Sequence, residues 1–374
     1  MKPKAIFITN QIYIDSTLNE GGVSFCTEEY IKLISEKFDL ILFPINTKKS
    51  IWYRLLVKLG FNKYQDFNYS IYHQRLLFLI EKNQINHLFL NQCNTAIFGK
   101  EVKRKIKKNL SVIICSHGNE SGDLLHDVTR FINNQPLYNK IFSNWIMGRT
   151  IRTEVFQRLN FIDGVMTVSE VETQIENWLG AKKVMFVPRT INYNPIVYDN
   201  TSGIVGFIGD LSHPPNFFGL KKVLEALEEI GIKENFQLRI VGSSTKWGKK
   251  LEMEFPFVKY LGYLSNEELA QECGSWSYFL NPVFYYSRGV STKLAKALGM
   301  GLPVITTSIG KRGYQWSKGN LPEVKNPTHM ARTISNLAFD LDLIKLYRNE
   351  VKLIVNSSPT FDLLGGHLSD FLES

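Results

Sequence analysis

The sequence predicts an α/β protein with two Rossmann-like domains that face each other across a cleft, and three observations support this. Its 374 residues are about two to three times the usual length of a single domain. In both halves, short runs rich in Ile, Val and Phe alternate with segments of helical apolar spacing, as in parallel sheets covered by helices on both faces. Residues 188–203, between the two series, are rich in Asn and Pro, which is typical of a linker.

The individual elements follow from the two periodicities of helices and strands. In the first half, unalternating apolar runs predict strands at residues 5–9, 39–43, 87–91, 111–115, 164–168 and 184–188, and helical spacing predicts helices at 27–37 and 72–82. In the second half, the same patterns predict strands at 204–208, 236–241, 258–261, 277–280 and 303–306, and helices at 216–230, 266–273 and 292–299.

Composition excludes several classes of protein. With 44% hydrophobic and 13% aromatic residues, the chain is not predominantly disordered. No apolar run reaches the length of about 18 residues that predicts a membrane span, and residues 5–8 are too short for the apolar region of a signal peptide. Four cysteines without CxxC or metal-ligand spacing indicate buried thiols in a reducing compartment, so we expect a cytoplasmic protein.

The net charge of +9 is concentrated in the first half, where residues 1–200 hold 25 Lys and Arg against 18 Asp and Glu. Two stretches carry most of it. Lys48–Lys63 mixes cations with aromatic and aliphatic residues, which fits either contact with an anionic membrane or a solvated helix face. Lys100–Lys108 favours the solvated face. Neither stretch has a nucleic-acid-binding pattern.

Two features of the first half lie where a predicted strand ends. Gly21-Gly22 precedes a helix, so it is either an ordinary turn or a place where backbone N–H groups approach a phosphate. His117 follows the strand 111–115, where it is either a capped loop residue or a group that contacts a sugar or moves a proton.

The segment 204–313 carries a more specific pattern. Glycines end successive strands, which lets a ligand approach the backbone. A helix beginning near Ser291 would direct its N–H groups toward a diphosphate, and Lys293 would add a positive charge. The elements of this pattern, in order, are Gly209, Asn216, Val241-Gly242, Gly262-Tyr263, Asn281-Pro282 and the unit from Gly289 to Val304.

These motifs resemble those of GT-B glycosyltransferases of the family-4 (glycosyl transferases group 1) type. The segment 204–313 resembles the nucleotide-sugar domain of that family. In the first half, Gly21-Gly22-Val23 resembles the family's GGV loop, and His117 matches its cleft histidine. Residues 164–170 resemble a strand that ends in Ser-Glu, and Val187-Pro188 matches the beginning of the interdomain hinge.

The resemblance implies an N-terminal acceptor-side domain at residues 1–190, a nucleotide-sugar domain at 191–358 and a helix at 359–374 that crosses back to the first domain. It implies transfer of a sugar from a nucleotide-diphosphate donor to a glycan or lipid-linked acceptor, with retention and without a metal or other cofactor. Together with the Lys-, Asn- and Ile-rich composition, it suggests bacterial surface polysaccharide or glycoconjugate synthesis at the inner face of the cell membrane.

The resemblance also implies roles for individual residues. His117 would contact the donor sugar, and Arg288 and Lys293 would stabilise charge on the leaving group. The predicted donor-binding residues are Gly21, Gly22, Gly209, Asn216, Gly242, Tyr263, Leu264, Gly289, Val290, Ser291, Thr292 and Lys296.

The sequence departs from the family pattern at two charged positions. Family members commonly carry two glutamates, eight positions apart, where this chain has Arg288 and Lys296. These cations should favour a diphosphate, but they remove the carboxylate that accepts hydrogen bonds from the ribose. The alternative hypothesis is therefore a non-catalytic GT-B scaffold or partner subunit that has lost its donor chemistry.

Overall fold

The computed structural model describes residues 2–15, 21–47, 50–58, 66–106, 109–122, 124–125, 137–199, 201–285 and 288–373. The chain forms two compact units. Unit 1 comprises Met1–Pro188, Ser287–Gly289 and Thr360–Ser374, and unit 2 comprises Arg189–Tyr286 and Val290–Pro359.

Unit 1 contains a parallel six-stranded sheet with the strand order β2-β1-β3-β4-β5-β6. Its strands are β1 (Lys4–Asn10), β2 (Asp39–Ile45), β3 (His87–Asn91), β4 (Ser111–Cys115), β5 (Gly164–Thr167) and β6 (Val184–Phe186). Its helices are α1 (Gly22–Ser35), α2 (Ile51–Lys58), α3 (Tyr69–Lys82), α4 (Ala96–Lys105), α5 (Leu137–Asn160) and α6 (Glu170–Trp178). The inner strands are buried along most of their length, which explains their unalternating sequences.

Unit 2 contains a parallel five-stranded sheet with the order β11-β10-β7-β8-β9. Its strands are β7 (Ile204–Ile208), β8 (Gln237–Val241), β9 (Val258–Gly262), β10 (Tyr278–Asn281) and β11 (Val304–Thr306). Its helices are α7 (Pro214–Ile230), α8 (Thr245–Glu254), α9 (Asn266–Gly274), α10 (Thr292–Gly299), α11 (Pro327–Leu337) and α12 (Leu341–Ser357). In β7, which pairs with β10, Gly206 makes room for the indole of the fully buried Trp276. A Cβ atom at Gly206 would lie 1.9 Å from that indole.

The last helix, α13 (Phe361–Glu373), packs on unit 1, as the sequence predicts. The ring of Phe371 fills the space above Gly164 in β5, where a Cβ atom would lie 2.6 Å from the ring. Lys183 donates a hydrogen bond of 2.6 Å to the carbonyl of Phe371, and its ammonium group lies 4.9 Å from the ring centroid. These contacts hold the C-terminal helix against the end of the first sheet.

The predicted strands agree with the structure to within two residues at each end. Among the predicted helices, α1 differs most from the prediction, because it begins at Gly22 and not at Thr27. Gly21 has extended backbone angles and forms the N-cap, so the glycine pair belongs to the helix terminus itself. The basic stretch Lys48–Lys63 lies partly outside the described residues, and its described part contains α2. None of the described helices is long and apolar enough to cross a membrane.

Candidate active site

Glycine lines the carboxyl ends of three neighbouring strands in unit 2, as the sequence predicts. Gly209 follows β7, Gly242 follows β8 and Gly262 ends β9. The N–H of Gly209 donates to Val241, and the N–H of Gly242 donates to Gly262. A Cβ atom on Gly242 would lie 2.1 Å from the carbonyl oxygen of Gly209, so only glycine fits there. These strand ends present backbone rather than side chains.

Asn216 and Lys293 meet beside this glycine edge. The Lys293 ammonium group donates a hydrogen bond of 2.6 Å to the side-chain oxygen of Asn216. The Asn216 amide donates in turn to the backbone carbonyl of Asp210, at 2.8 Å, which fixes the orientation of the amide. The Lys293 stem runs past Gly209, where a Cβ atom would lie 3.2 Å from Lys293 Cδ. Three predicted donor-site residues are therefore neighbours.

The helix that carries Lys293 has an open N-terminus. Ser291 is the N-cap of α10, but its side chain makes no capping bond and donates instead to Asn281, at 2.9 Å. The hydroxyl of Tyr314 donates to the Ser291 carbonyl, at 2.6 Å, and anchors the first turn. The first turn contains no acidic residue, so the positive end of the helix dipole has no side-chain carboxylate of its own.

Burial lowers the pKa of Lys293 from 10.5 to about 8. Among the residues that the structure describes, its hydrogen-bond partner is a neutral amide, and no carboxylate forms an ion pair with it. A partly buried ammonium group without a carboxylate favours an anionic ligand, because such a ligand compensates the charge.

The other predicted residues of unit 2 occupy different environments. Lys296 is exposed, one helical turn after the partly buried Lys293, so the two cations differ in their surroundings. Tyr263 is 71% exposed directly after β9, whereas Leu264 packs on the hydrophobic core of unit 2. Val290 and Thr292 are partly buried beside Ser291.

Asp210 directly follows Gly209 at the end of β7. Partial burial acts to raise the pKa of its carboxyl group, but hydrogen bonds from the side chains of Ser244 and Ser212 and from the Ser212 N–H outweigh this, and the pKa lies below the ordinary value. The Asp210 carboxylate therefore accepts hydrogen bonds within its own loop, and the Asp210 backbone carbonyl accepts the hydrogen bond from the Asn216 amide.

In unit 1, His117 belongs to a buried network at the carboxyl ends of β1, β3 and β4. Its Nε2 lies 2.8 Å from the side-chain oxygen of Asn91. The Asn91 amide donates to Thr9 and to Thr27, at 2.8 and 2.9 Å. The imidazole also packs against Tyr30, with 5.6 Å between ring centroids. His117 is thus a buried network residue rather than a capped surface loop residue.

This network sets the tautomer of His117. The Thr27 hydroxyl donates to the carbonyl of Val23, so its oxygen accepts from the amide of Asn91. The Asn91 oxygen must then face the imidazole and accept from Nε2–H. Neutral His117 consequently carries its proton on Nε2, and Nδ1 is the basic nitrogen.

Residues 288–289 belong to unit 1, beside the loop that follows β4. Arg288 forms an ion pair with Glu120, and the N–H of Gly289 donates to Glu172 at 2.5 Å. Gly118 has a left-handed φ of +98°, and a Cβ atom there would lie 2.4 Å from the Cβ of Arg288. The structure therefore groups Arg288 and Gly289 with His117, while Lys293 and Asn216 lie in unit 2.

Sequence reasoning missed Asn91, Glu120 and Glu172. Their partners are 26, 168 and 117 residues away in the chain, so no local spacing reveals them. Asn91 ends a predicted strand next to the one that precedes His117, and this was the one available signal. Within the described ranges, no group of three or more His, Cys, Asp or Glu side chains could hold a metal ion.

Comparisons with known proteins identify the fold. Residues 202–340 match the family Glycosyl transferases group 1. Sucrose-phosphate synthase from Thermosynechococcus elongatus superposes with a TM-score of 0.68 at 14% identity, covering 100% of this chain and 98% of that one. Anabaena HepE in complex with UDP and glucose gives a TM-score of 0.64 at 13% identity, covering 99% of both chains.

A further solved structure, the lipopolysaccharide outer core galactosyltransferase WaaB, superposes with a TM-score of 0.60 at 14% identity over 99% of both chains. No curated protein sequence matches the chain. At these identities the solved structures establish the fold, which is GT-B.

The GT-B fold and the match of residues 202–340 to the Glycosyl transferases group 1 family together indicate a glycosyltransferase.

Proposed function

We propose that the donor diphosphate binds in unit 2 at the N-terminus of α10, between Lys293 and the glycine-lined strand ends. The observation that carries this proposal is the partly buried ammonium group of Lys293, held by the neutral amide of Asn216 beside an uncapped helix terminus. Two positive features then converge on one place, and a diphosphate compensates both. As the glycosidic bond breaks, Lys293 and the N–H groups of α10 stabilise the negative charge on the leaving nucleotide.

His117 contacts the donor sugar in this proposal. Its Nε2–H is held by Asn91, so the imidazole is oriented before substrate binds. Arg288, predicted to stabilise the leaving group, already has Glu120 as a partner, so we assign the larger share of that role to Lys293. Gly21 and Gly22 contribute the N-terminus of α1, whose first turn contains no acidic residue.

The acceptor in this proposal is a glycan or lipid-linked glycan used in bacterial surface polysaccharide or glycoconjugate synthesis. Two similar structures support this: WaaB, by its name, acts on the lipopolysaccharide outer core, and HepE was solved with UDP-glucose. UDP-glucose is therefore the first donor to test.

We also propose peripheral contact of unit 1 with an anionic membrane. On α2, Ile51, Trp52 and Leu55 are exposed, with Trp52 at 77%. On α5, the exposed side chains of one helical face combine apolar and cationic groups; they are Ile141, Trp145, Arg149, Arg152, Phe156 and Leu159. Amphipathic surfaces of this kind lie in the interface of membranes that carry negative charge.

Calorimetric titration with UDP, GDP, ADP and dTDP tests the donor site directly. We expect one nucleoside diphosphate to bind, and the corresponding sugar nucleotides then enter a screen that detects released nucleotide. A chain that binds none of them would favour the non-catalytic scaffold. The Lys296→Ala variant is the control, because Lys296 is the exposed lysine of the same helix.

A further inference from the structure

Two carboxylates of unit 1 hold the segment that directly precedes the donor helix. Glu120 pairs with the guanidinium group of Arg288, and Glu172 accepts the N–H of Gly289 at 2.5 Å. Both carboxylates are sheltered, since the Glu120 side chain is 15% exposed and Glu172 is buried. The next residue in the chain is Val290, which is one of the predicted donor-binding residues.

The backbone is fitted to this arrangement. Gly118, in the same loop as Glu120, has a φ of +98° that favours glycine, and a Cβ atom there would lie 2.8 Å from Glu172 and 2.9 Å from the Gly289 nitrogen. The segment 288–289 thus packs on the 117–120 loop with no room for a further carbon atom. The contacts of Glu120 with Arg288 and of Glu172 with Gly289 lie in this closely packed region.

We propose that Glu120 is a positioning residue for donor binding, which acts by holding Arg288 and hence the Gly289–Val290 backbone. The inference rests on the proposed function and adds to it a residue that the sequence motifs do not include. At this position the guanidinium group serves as an anchor for the loop, and its charge is compensated by Glu120 before any nucleotide binds. A guanidinium group paired with a carboxylate, here one that is 15% exposed, has the geometry for such a role.

The test uses the full chain. Its ligand is whichever of UDP, GDP, ADP and dTDP the wild type binds. Glu120→Gln should raise the Kd of that nucleotide and the KM of its sugar nucleotide about tenfold. The double variant Glu120→Arg with Arg288→Glu rebuilds the pair with reversed polarity, so we expect its Kd to return to within about threefold of the wild-type value.

A matched control is available in unit 2. Glu254→Gln removes the nearer of the two carboxylate partners of Lys221, in an ion pair whose side chains are 24% and 36% exposed, and should leave the Kd unchanged. If Glu120→Gln does not fold, Arg288→Gln removes the same pair from its more exposed side and should raise the Kd equally.

The outcomes separate the two proposals. A wild type that binds no nucleotide overturns the proposed function and this inference with it. Nucleotide binding that is equally tight in wild type and Glu120→Gln overturns the inference alone. A polarity-reversed pair that binds no better than Glu120→Gln shows that the guanidinium group itself is required at position 288, which also overturns the positioning role.

Discussion

The side chain of Asn216 links the ammonium group of Lys293, 2.6 Å from its oxygen, to the backbone carbonyl of Asp210, 2.8 Å from its nitrogen. Because the amide is neutral, this link orients Lys293 without cancelling its charge. The charge therefore remains to attract an anion, while the position of the ammonium group is already fixed.

Lys293→Ala should weaken nucleoside-diphosphate binding about tenfold or more, which corresponds to about 1.4 kcal/mol. The reason is the loss of a sheltered positive charge beside an uncapped helix terminus. Calorimetric titration measures the change. Lys296→Ala serves as the control and should stay within about twofold of the wild type, because Lys296 is exposed. Equal binding by wild type and Lys293→Ala would show that the donor site is wrongly assigned.

Lys296→Glu should change nucleotide preference without abolishing binding. The substitution restores the carboxylate that family members commonly carry for the ribose hydroxyls, and it lies one turn away from Lys293. The measurement is the ratio of the Kd values for several nucleoside diphosphates. Complete loss of binding would show that Lys296 itself contacts the diphosphate.

Nucleotide binding should weaken above pH 8. Burial holds the pKa of Lys293 at about 8 in the free protein, and a bound diphosphate favours the ammonium form. Below pH 8 the group is protonated in both states, so the Kd is constant. Above pH 8 binding must take up a proton, so the Kd rises by up to about tenfold per pH unit. Titrations in buffers of different ionisation enthalpy detect this uptake, and Lys293→Met should remove it.

His117→Ala should lower kcat by one to several orders of magnitude, because a preoriented polar group is lost from the transition state. The substitution also leaves the buried Asn91 oxygen without its imidazole partner, so we expect a stability loss of about 1–3 kcal/mol. Thr27→Val is the control, since it removes another hydrogen bond of the same network and keeps the imidazole. If both variants lose equal activity, His117 has only a structural role.

Unit 1 should bind anionic vesicles more strongly than neutral ones, and the binding should weaken as salt rises. The double variant Trp145→Ala with Arg149→Ala removes one aromatic and one cationic group from the exposed face of α5, where the guanidinium lies 5.5 Å from the ring centroid. It should reduce the bound fraction in a vesicle sedimentation assay. The matched control is Met253→Ala, which shortens an apolar side chain of unit 2 that is 82% exposed. Equal binding to both kinds of vesicle would contradict the prediction.

Glu176→Gln should destabilise unit 1 by about 3–5 kcal/mol, because it removes the charged carboxylate that accepts two hydrogen bonds from the buried guanidinium group of Arg158. The two side chains form a two-point ion pair with bonds of 2.8 Å, and both are almost fully buried. Urea unfolding measures the effect. Glu323→Gln breaks the exposed pair with Lys311 and should cost less than about 1 kcal/mol.

The sequence predicts the two sheets well because their strands are buried on both faces and read as unbroken apolar runs. It misses α5 for a related reason. The exposed face of that helix carries Ile141, Trp145 and Phe156, whereas its inner face holds the buried Glu154 and Arg158. Apolar side chains are thus exposed and charged side chains are buried, which is the reverse of the usual helix. A search for a polar exposed face and an apolar buried face therefore does not identify α5.

The candidate site divides in the same way. Lys293, Asn216 and the glycines stand at strand ends or helix starts, where local patterns place them. Glu120 and Glu172 acquire their roles only through contacts with residues more than a hundred positions away. Such contacts form only in the tertiary fold, so the periodicity and motif spacing of a single sequence do not predict them.

The packing of α13 on unit 1 has a consequence for biosynthesis. The ribosome makes β1 to β6 first, then all of unit 2, and only afterwards the helix whose Phe371 covers Gly164. Unit 2 can therefore acquire its native structure before α13 packs on the sheet of unit 1. The first-made half of the polypeptide is the last to mature, and premature termination anywhere before Phe361 leaves it incomplete.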